Sequence, residues 1–192
     1  MTTDDRSELP DAVEFLLREH RMFEEMFARY DRLGDDVDAK RHLFREIVAE
    51  LSVHEAIEEI VVWPEVRASV PGGDELADRR IAEEDELKHM LAALDRMSPA
   101  DAGFDAKLKA FGEDVLRHAR EEEEHVFPAL RQHVEANVLK DMGAALEVGD
   151  RVAPTRPHPQ VPSGALAQFV AGGPAAVLDR VRDAIEQFRA RG

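Results

Sequence analysis

The chain has no cysteine, which excludes thiol redox chemistry, cysteine-ligated zinc and iron–sulfur clusters. It has no apolar run approaching the roughly 20 residues of a membrane span. Its opening, Met1-Thr-Thr-Asp-Asp-Arg-Ser-Glu, lacks the apolar stretch of a secretory signal. A soluble, cytoplasmic protein with no membrane partner is therefore expected. Basic residues are scarce: 25 Lys and Arg stand against 41 Asp and Glu, a net charge of −16. That surface repels phosphates, so no nucleic-acid partner is expected. A chain of 192 residues is long enough to bury a core without disulfides or structural zinc.

The charge is unevenly spread. Residues 151–192 hold six arginines against Asp179, Asp183 and Glu186, a balance of +3, so the first 150 residues carry −19. An acidic solvated surface is the plain reading, and docking of the basic tail on the acidic body is the alternative. Apolar residues recur at helical spacing in four segments. The first, 9–31, aligns Val13, Leu16, His20, Phe23 and Phe27, and Gly34-Asp-Asp breaks it. The second, 38–69, aligns Leu43, Ile47, Leu51, His54, Glu58 and Val61, and Pro64 should kink or end it. The third, 74–97, aligns Ile81, Glu84, Leu87, Leu91 and Leu94. The fourth, 104–134, aligns Leu108, Phe111, Val115, His118, Glu122, Val126 and Leu130, with Ser98 or Asp101 available to cap it.

These segments and their short connections predict an all-α fold, an antiparallel up-down-up-down four-helix bundle. Residues 135–148 continue the fourth helix or form a short extra one. A proline-rich linker follows at Ala153-Pro-Thr-Arg-Pro-His-Pro-Gln-Val-Pro. A short C-terminal amphipathic helix, about 174–190, carries Val177, Val181, Ile185 and Phe188. The expected division is a bundle of residues 1–148 and a linker with terminal helix, 149–192. Apart from a shared His-xxx-Glu spacing, no internal repeat stands out.

That spacing carries the chemistry. His54–Glu58 and His118–Glu122 each set an imidazole and a carboxylate on one helix face, inside an apolar stripe. His20 interrupts the first stripe and Glu84 the third. A lone buried histidine is commonly a hydrogen-bonded core residue, but buried carboxylates are costly unless something pairs them. Ionisable groups from four helices converging on one interior call for a cation. On the third helix the stripe centres close to Glu84, and His89 falls about 180° away. Glu84 is thus the expected donor and His89 faces solvent. His54-Glu-Ala-Ile-Glu58 is not the zinc-protease pattern, because Glu58 stands where a second His is required. Glu86-xx-His89 and Glu122-xx-His125 match the carboxylate-bundle element Glu-x-x-His. The first points outward and His125 lies at the edge of its face. Glu24, four residues after His20, reads as a helix flank. His42, His133 and His158 have no ligand spacing.

The segments LLREHRMFEEMF, LSVHEAIEEIVVWP and DVLRHAREEEEHVFP, with a Pro just past each ligand turn, resemble the hemerythrin-like (HHE cation-binding) family over roughly residues 10–135. The proline-rich APTRPHP segment is similar to a tail of some bacterial members. The resemblance implies a non-haem diiron centre: two iron ions, oxo- or hydroxo-bridged, held by histidines and bridging carboxylates, with manganese less favoured. Oxygen-carrying members place His-xxx-His on the third helix and His-xxxx-Asp on the fourth. Here Glu84 and Glu122 stand instead. Glu55 matches a variant in which that carboxylate also binds iron. The implied ligand set is His20, His54, Glu55, Glu58, Glu84, His118 and Glu122. Within it Glu58 and Glu122 bridge, and Glu84 and Glu55 serve the second iron.

So carboxylate-rich a set favours Fe(III) over Fe(II), and hence redox turnover or tight iron holding over reversible oxygen release. The expected small-molecule ligand is O2, H2O2 or NO. Two functions follow: a diiron oxidoreductase of the peroxide-decomposing kind active in oxidative stress, or a non-enzymatic iron or oxygen sensor or store. A bundle whose acids are satisfied by Arg and Lys is the third class. Oligomeric state is not legible.

Overall fold

The computed structural model describes residues 10–152 and position 183. Among the described residues every regular element is helical and there is no strand. The expected proline-rich linker, the terminal helix and His158 lie outside the described residues.

Helix α1 (Ala12–Asp31) starts at a capping box. Asp11 accepts from the Glu14 backbone N–H and Glu14 from that of Asp11, satisfying two donors that a helix start leaves free. Helix α2 (Val37–Ile57) begins at Asp36, whose carboxylate accepts from the Ala39 N–H. It runs into α3 (Trp63–Ser69) through one wide π-helical turn, Glu58–Val62. Helix α4 (Gly73–Asp95) follows a left-handed Gly72 (φ 73°). Helix α5 (Phe104–Glu121) runs into α6 (Phe127–His133) through a second π turn, Glu122–Val126. The cap of α5 is Gly103; neither Ser98 nor Asp101 caps it, because Asp101 turns back to accept from the Ser98 N–H.

Both π turns sit just ahead of a proline, Pro64 or Pro128. A proline cannot donate to the fourth residue back, and its ring crowds that carbonyl. Widening the helix there lets Trp63 and Phe127 donate instead to Glu58 and Glu122. Pro64 therefore interrupts the second rod without ending it. Val70 and Val134 then leave the helix in extended conformation; for Val70 the following Pro71 demands it.

The largest departure from expectation is α7 (Ala136–Val152), a separate helix and longer than the short extra one foreseen. It packs on α1 and α2, burying Leu139, Met142, Ala145 and Leu146. Gly143 makes this possible, since a Cβ there would fall 2.2 Å from the Pro10 carbonyl oxygen.

An internal repeat is also present, contrary to the sequence reading. One constant step along the chain carries α1 to the end of α4, α2 to the end of α5, the first π turn onto the second, and α3 onto α6. The same step takes His54 to His118, Glu58 to Glu122, Pro64 to Pro128, His20 to Glu84 and Leu16 to Arg80. The two halves differ in much of their side-chain chemistry, and the identities that mark the relation cluster at the π turns, in His54 and His118, Glu58 and Glu122, Glu59 and Glu123, Val62 and Val126, and Pro64 and Pro128.

The apolar interior forms two clusters. One holds Leu16, Ile57, Trp63, Ala77 and Leu130 with the inner face of α7. The other holds Phe23, Leu51, Leu87, Leu94, Phe111 and Val115. Along each rod the chain passes from one cluster to the other through His20, through His54 and Glu58, through Glu84, or through His118 and Glu122. A polar layer is thus sealed between two apolar ones.

Candidate metal centre

Two groups of donors meet in that layer. His20, His54, Glu58 and Glu122 present ligand atoms within 4.8 Å of one another, and so do Glu84, His118 and Glu122. Glu122 belongs to both and is 0% exposed. Its two oxygens face opposite ways: His20 Nε2 lies 3.3 Å from Oε2 and His118 Nε2 3.2 Å from Oε1. His54 Nε2 stands 3.5 Å from Glu58 Oε2. None of these contacts has hydrogen-bond alignment. The Nε2 of His20 and His118, the Nδ1 of His54, and both oxygens of Glu58 and Glu122 are buried with no hydrogen-bond partner. Buried polar atoms are nearly always paired, so a set of orphans from three rods, on residues whose ligand atoms gather within 4.8 Å of one another, fits a bound cation.

The π turns help to build this arrangement. Each begins at the inner carboxylate, Glu58 or Glu122, and adds a residue to the turn. The carboxylate end and the aromatic after it, Trp63 or Phe127, are then both buried. Phe127 stacks on the His20 ring at 5.4 Å, and Phe23 meets the His54 ring edge-on at 5.1 Å. Trp63 donates its indole N–H to Glu84 Oε1 at 2.9 Å.

The electrostatics fit the same picture. Burial pushes Glu58 well above the usual carboxylate range, and the Glu122 and Glu84 charges add to the push. Glu84 is raised to about 7 by burial and by Glu122, against His118, Lys88 and the Trp63 N–H. His54 is pulled down to about 3 by burial and by the charge of His20. Burial also opposes charge on His118, but the Glu122 carboxylate and the contact with Glu83 outweigh it, leaving the imidazole at about 9. Burial works to raise Glu122, and the facing histidines win, holding it as an anion. One firmly charged histidine balances the Glu122 anion, so without a further cation Glu58 and Glu84 are driven towards their protonated forms.

Six of the seven expected residues are brought together. Glu55 is in neither group: it faces Lys88, with Oε2 3.9 Å from Nζ, and burial lifts its carboxyl to about 8. The same Nζ is 3.7 Å from Glu84 Oε2. His89 is exposed, its Nδ1 on the Asp85 carbonyl, while Glu84 is 2% exposed. His125 is exposed as well, on the Glu121 carbonyl. Glu24 pairs with Arg21, His42 with Glu46, and His133 is at the surface. Sequence reasoning missed Glu123 and Glu83, which bind Nδ1 of His20 at 3.0 Å and of His118 at 3.1 Å. Their only signal is adjacency to an inward carboxylate, in the pairs Glu122-Glu123 and Glu83-Glu84.

Comparison with known proteins points the same way. A relative, an uncharacterized hemerythrin-like protein of Schizosaccharomyces pombe, is 28% identical over 174 residues, covering 90% of this chain and 85% of that protein. A DNA nickase of Nostoc is 30% identical over 103 residues, 53% of this chain but only 28% of that protein. The crystal structure of a hemerythrin HHE cation binding domain-containing protein from Mycobacterium kansasii has the same fold. Its TM-score is 0.66 at 19% identity, over 92% of this chain and 98% of that one. The profile described as hemerythrin HHE cation binding domain matches residues 11–130. The chain belongs to the hemerythrin HHE cation-binding domain family.

Proposed function

We propose that this protein is a carboxylate-rich non-haem diiron protein that reacts with O2, peroxide or nitric oxide, and that its leading activity is peroxide decomposition. The observation that carries the reading is Glu122. It is fully buried, its two oxygens have no hydrogen-bond partner, and it is shared by two donor groups. A carboxylate shared in this way would suit two cations, which supports the reading. In the proposal His20, His54, Glu58 and Glu122 hold one iron, and Glu84, His118 and Glu122 the other. Glu55 is an auxiliary donor that would have to leave Lys88.

Two irons, if held by these residues, would supply the electrons for peroxide chemistry and the Lewis acidity to polarise it. The chain's own contributions are separate. Phe23, Phe127 and Trp63 wall the layer and exclude bulk water, which strengthens every charge interaction inside. Trp63 holds one oxygen of Glu84, and the other lies 3.7 Å from Lys88 Nζ. With a cation in place of the Nε2 proton, Glu123 and Glu83 would accept from Nδ1 of His20 and His118 and leave each Nε2 lone pair to the metal. So closed a layer admits small ligands only.

The same proposal retains an up-down-up-down bundle for α1, α2–α3, α4 and α5–α6, as the short connections support. It also keeps a body followed by a linker and terminal helix, with the body carried past 148 to the end of α7 at Val152, and a cytoplasmic setting. Nucleic acid is left out as a partner on the strength of the −16 charge. Among the described residues no helix is long and apolar enough to cross a membrane.

Elemental analysis of the natively purified protein, followed by oxygen evolution on adding hydrogen peroxide, tests the reading. Two irons per chain and evolution well above that of free iron are expected. Iron without turnover would favour the second reading, iron or oxygen sensing or storage. The carboxylate-rich donor set supports that reading because it holds Fe(III) strongly. No metal would refute both.

A further inference from the structure

His20 and His118 are held in the same way. Glu123 takes the His20 Nδ1 on one oxygen and Arg21 on the other, at 3.0 and 2.9 Å. Glu83 takes the His118 Nδ1 on one oxygen and Arg80 on the other, at 3.1 and 2.7 Å. With both imidazoles facing Glu122, a single chain of contacts runs Arg21, Glu123, His20, Glu122, His118, Glu83, Arg80.

The two ends differ in burial. The Arg21 side chain is 53% exposed and that of Arg80 is 7% exposed. The Arg80 position is a poor one for stability. Its Nε and Nη1 are buried with no hydrogen-bond partner, and Glu121 is 3.7 Å from Nη1. Removing a guanidinium from water with most of its donors unmet is unfavourable. The matching position in the first half of the chain holds a leucine, Leu16, 0% exposed. A buried cation kept where a leucine would pack needs another reason. The available one is Glu83. That side chain is 41% exposed, and without an anchor it would turn to solvent and release the imidazole.

We propose that Arg80 is a positioning residue of the metal centre. Through Glu83 it fixes the His118 ring with Nε2 aimed inward. The hold of the Glu84–His118–Glu122 group on a cation then depends on a guanidinium that touches none of its three donors. The inference rests on the reading of this layer as a metal site. It adds an asymmetry, because Arg21 at the opposite end is solvated and its ion pair is weak.

The test uses the full chain with Arg80→Met, Arg80→Lys, Glu83→Gln and Arg21→Met. Fe(II) is titrated anaerobically against a competing chelator, and thermal unfolding is measured on the metal-free forms. Arg80→Met and Glu83→Gln are expected to weaken one of the two metal-binding steps by about 10–100-fold. Arg80→Lys should recover part of that loss, and Arg21→Met should change either step by much less. The metal-free unfolding midpoint of Arg80→Met should equal or exceed that of the parent, since an apolar chain replaces an ill-paired charge. The inference is overturned if Arg80→Met binds both irons like the parent, or if its metal-free form unfolds earlier or fails to fold, either of which marks a structural role. A parent chain that takes up no iron overturns the metal reading and this inference together.

Discussion

Replacing Glu58 by Met separates what the buried carboxylates do for the metal from what they do to the fold. Glu58 is 1% exposed and neither oxygen has a hydrogen-bond partner. Burial and the charges of Glu122 and Glu84 push its carboxyl upward. In the metal-free protein the side chain is therefore a net cost. A buried polar group left unsatisfied costs about 1–3 kcal/mol, and methionine fills a similar volume without polar atoms. In a protein of this size each kcal/mol moves the unfolding midpoint by about 2–4 °C. Metal-free Glu58→Met should thus unfold roughly 2–12 °C above the parent. The iron-loaded proteins should reverse the order, because the His20–His54–Glu58–Glu122 group loses a donor and iron content drops towards one per chain. Calorimetry with and without metal, beside elemental analysis, reads both. A variant that is destabilised without metal yet binds iron like the parent would refute the assignment of Glu58 to the centre.

Metal-free stability should fall as pH rises from about 6.5 to 9. His118 is raised from 6.5 to about 9 and Glu55 from 4.5 to about 8. In both cases the folded state binds its proton more tightly, so its advantage is lost on climbing to the folded-state value. His118 alone accounts for roughly 3 kcal/mol; denaturant titrations at the two pH values read the sum, and a stability that rises with pH would contradict it. Trp63, the single tryptophan, lies one hydrogen bond from Glu84, so its fluorescence should quench in step with iron uptake. Emission that ignores the metal would place the centre elsewhere. Gly143→Ala should destabilise the fold by about 1–3 kcal/mol through the clash with Pro10, lowering the melting midpoint. An unchanged midpoint would mean that α7 does not dock on the start of α1.

The donors were legible because burial and helix periodicity are both properties of local sequence. An ionisable residue inside an apolar stripe must face the interior, whichever helix lies opposite. That is why His20, His54, Glu58, Glu84, His118 and Glu122 could be picked out together, and why Glu84 could be preferred to His89. Glu55 was a different kind of expectation, carried by family resemblance alone, and it faces Lys88. Glu83, Glu123 and Arg80 lie off the stripe centres and gain meaning only from side chains on other rods.

Sequence by itself determined the helices, their polar interruptions and the chemistry of the inward donors, since each follows from spacing within one rod. Tertiary structure alone decided that Glu122 is shared by two donor groups, that Lys88 holds Glu55, and that Glu83 and Glu123 secure two of the imidazoles. It also decided that α7 closes over α1 at Gly143. Each of these joins residues far apart along the chain, and such distances are fixed by how rods pack, about which the order of residues within a rod says little.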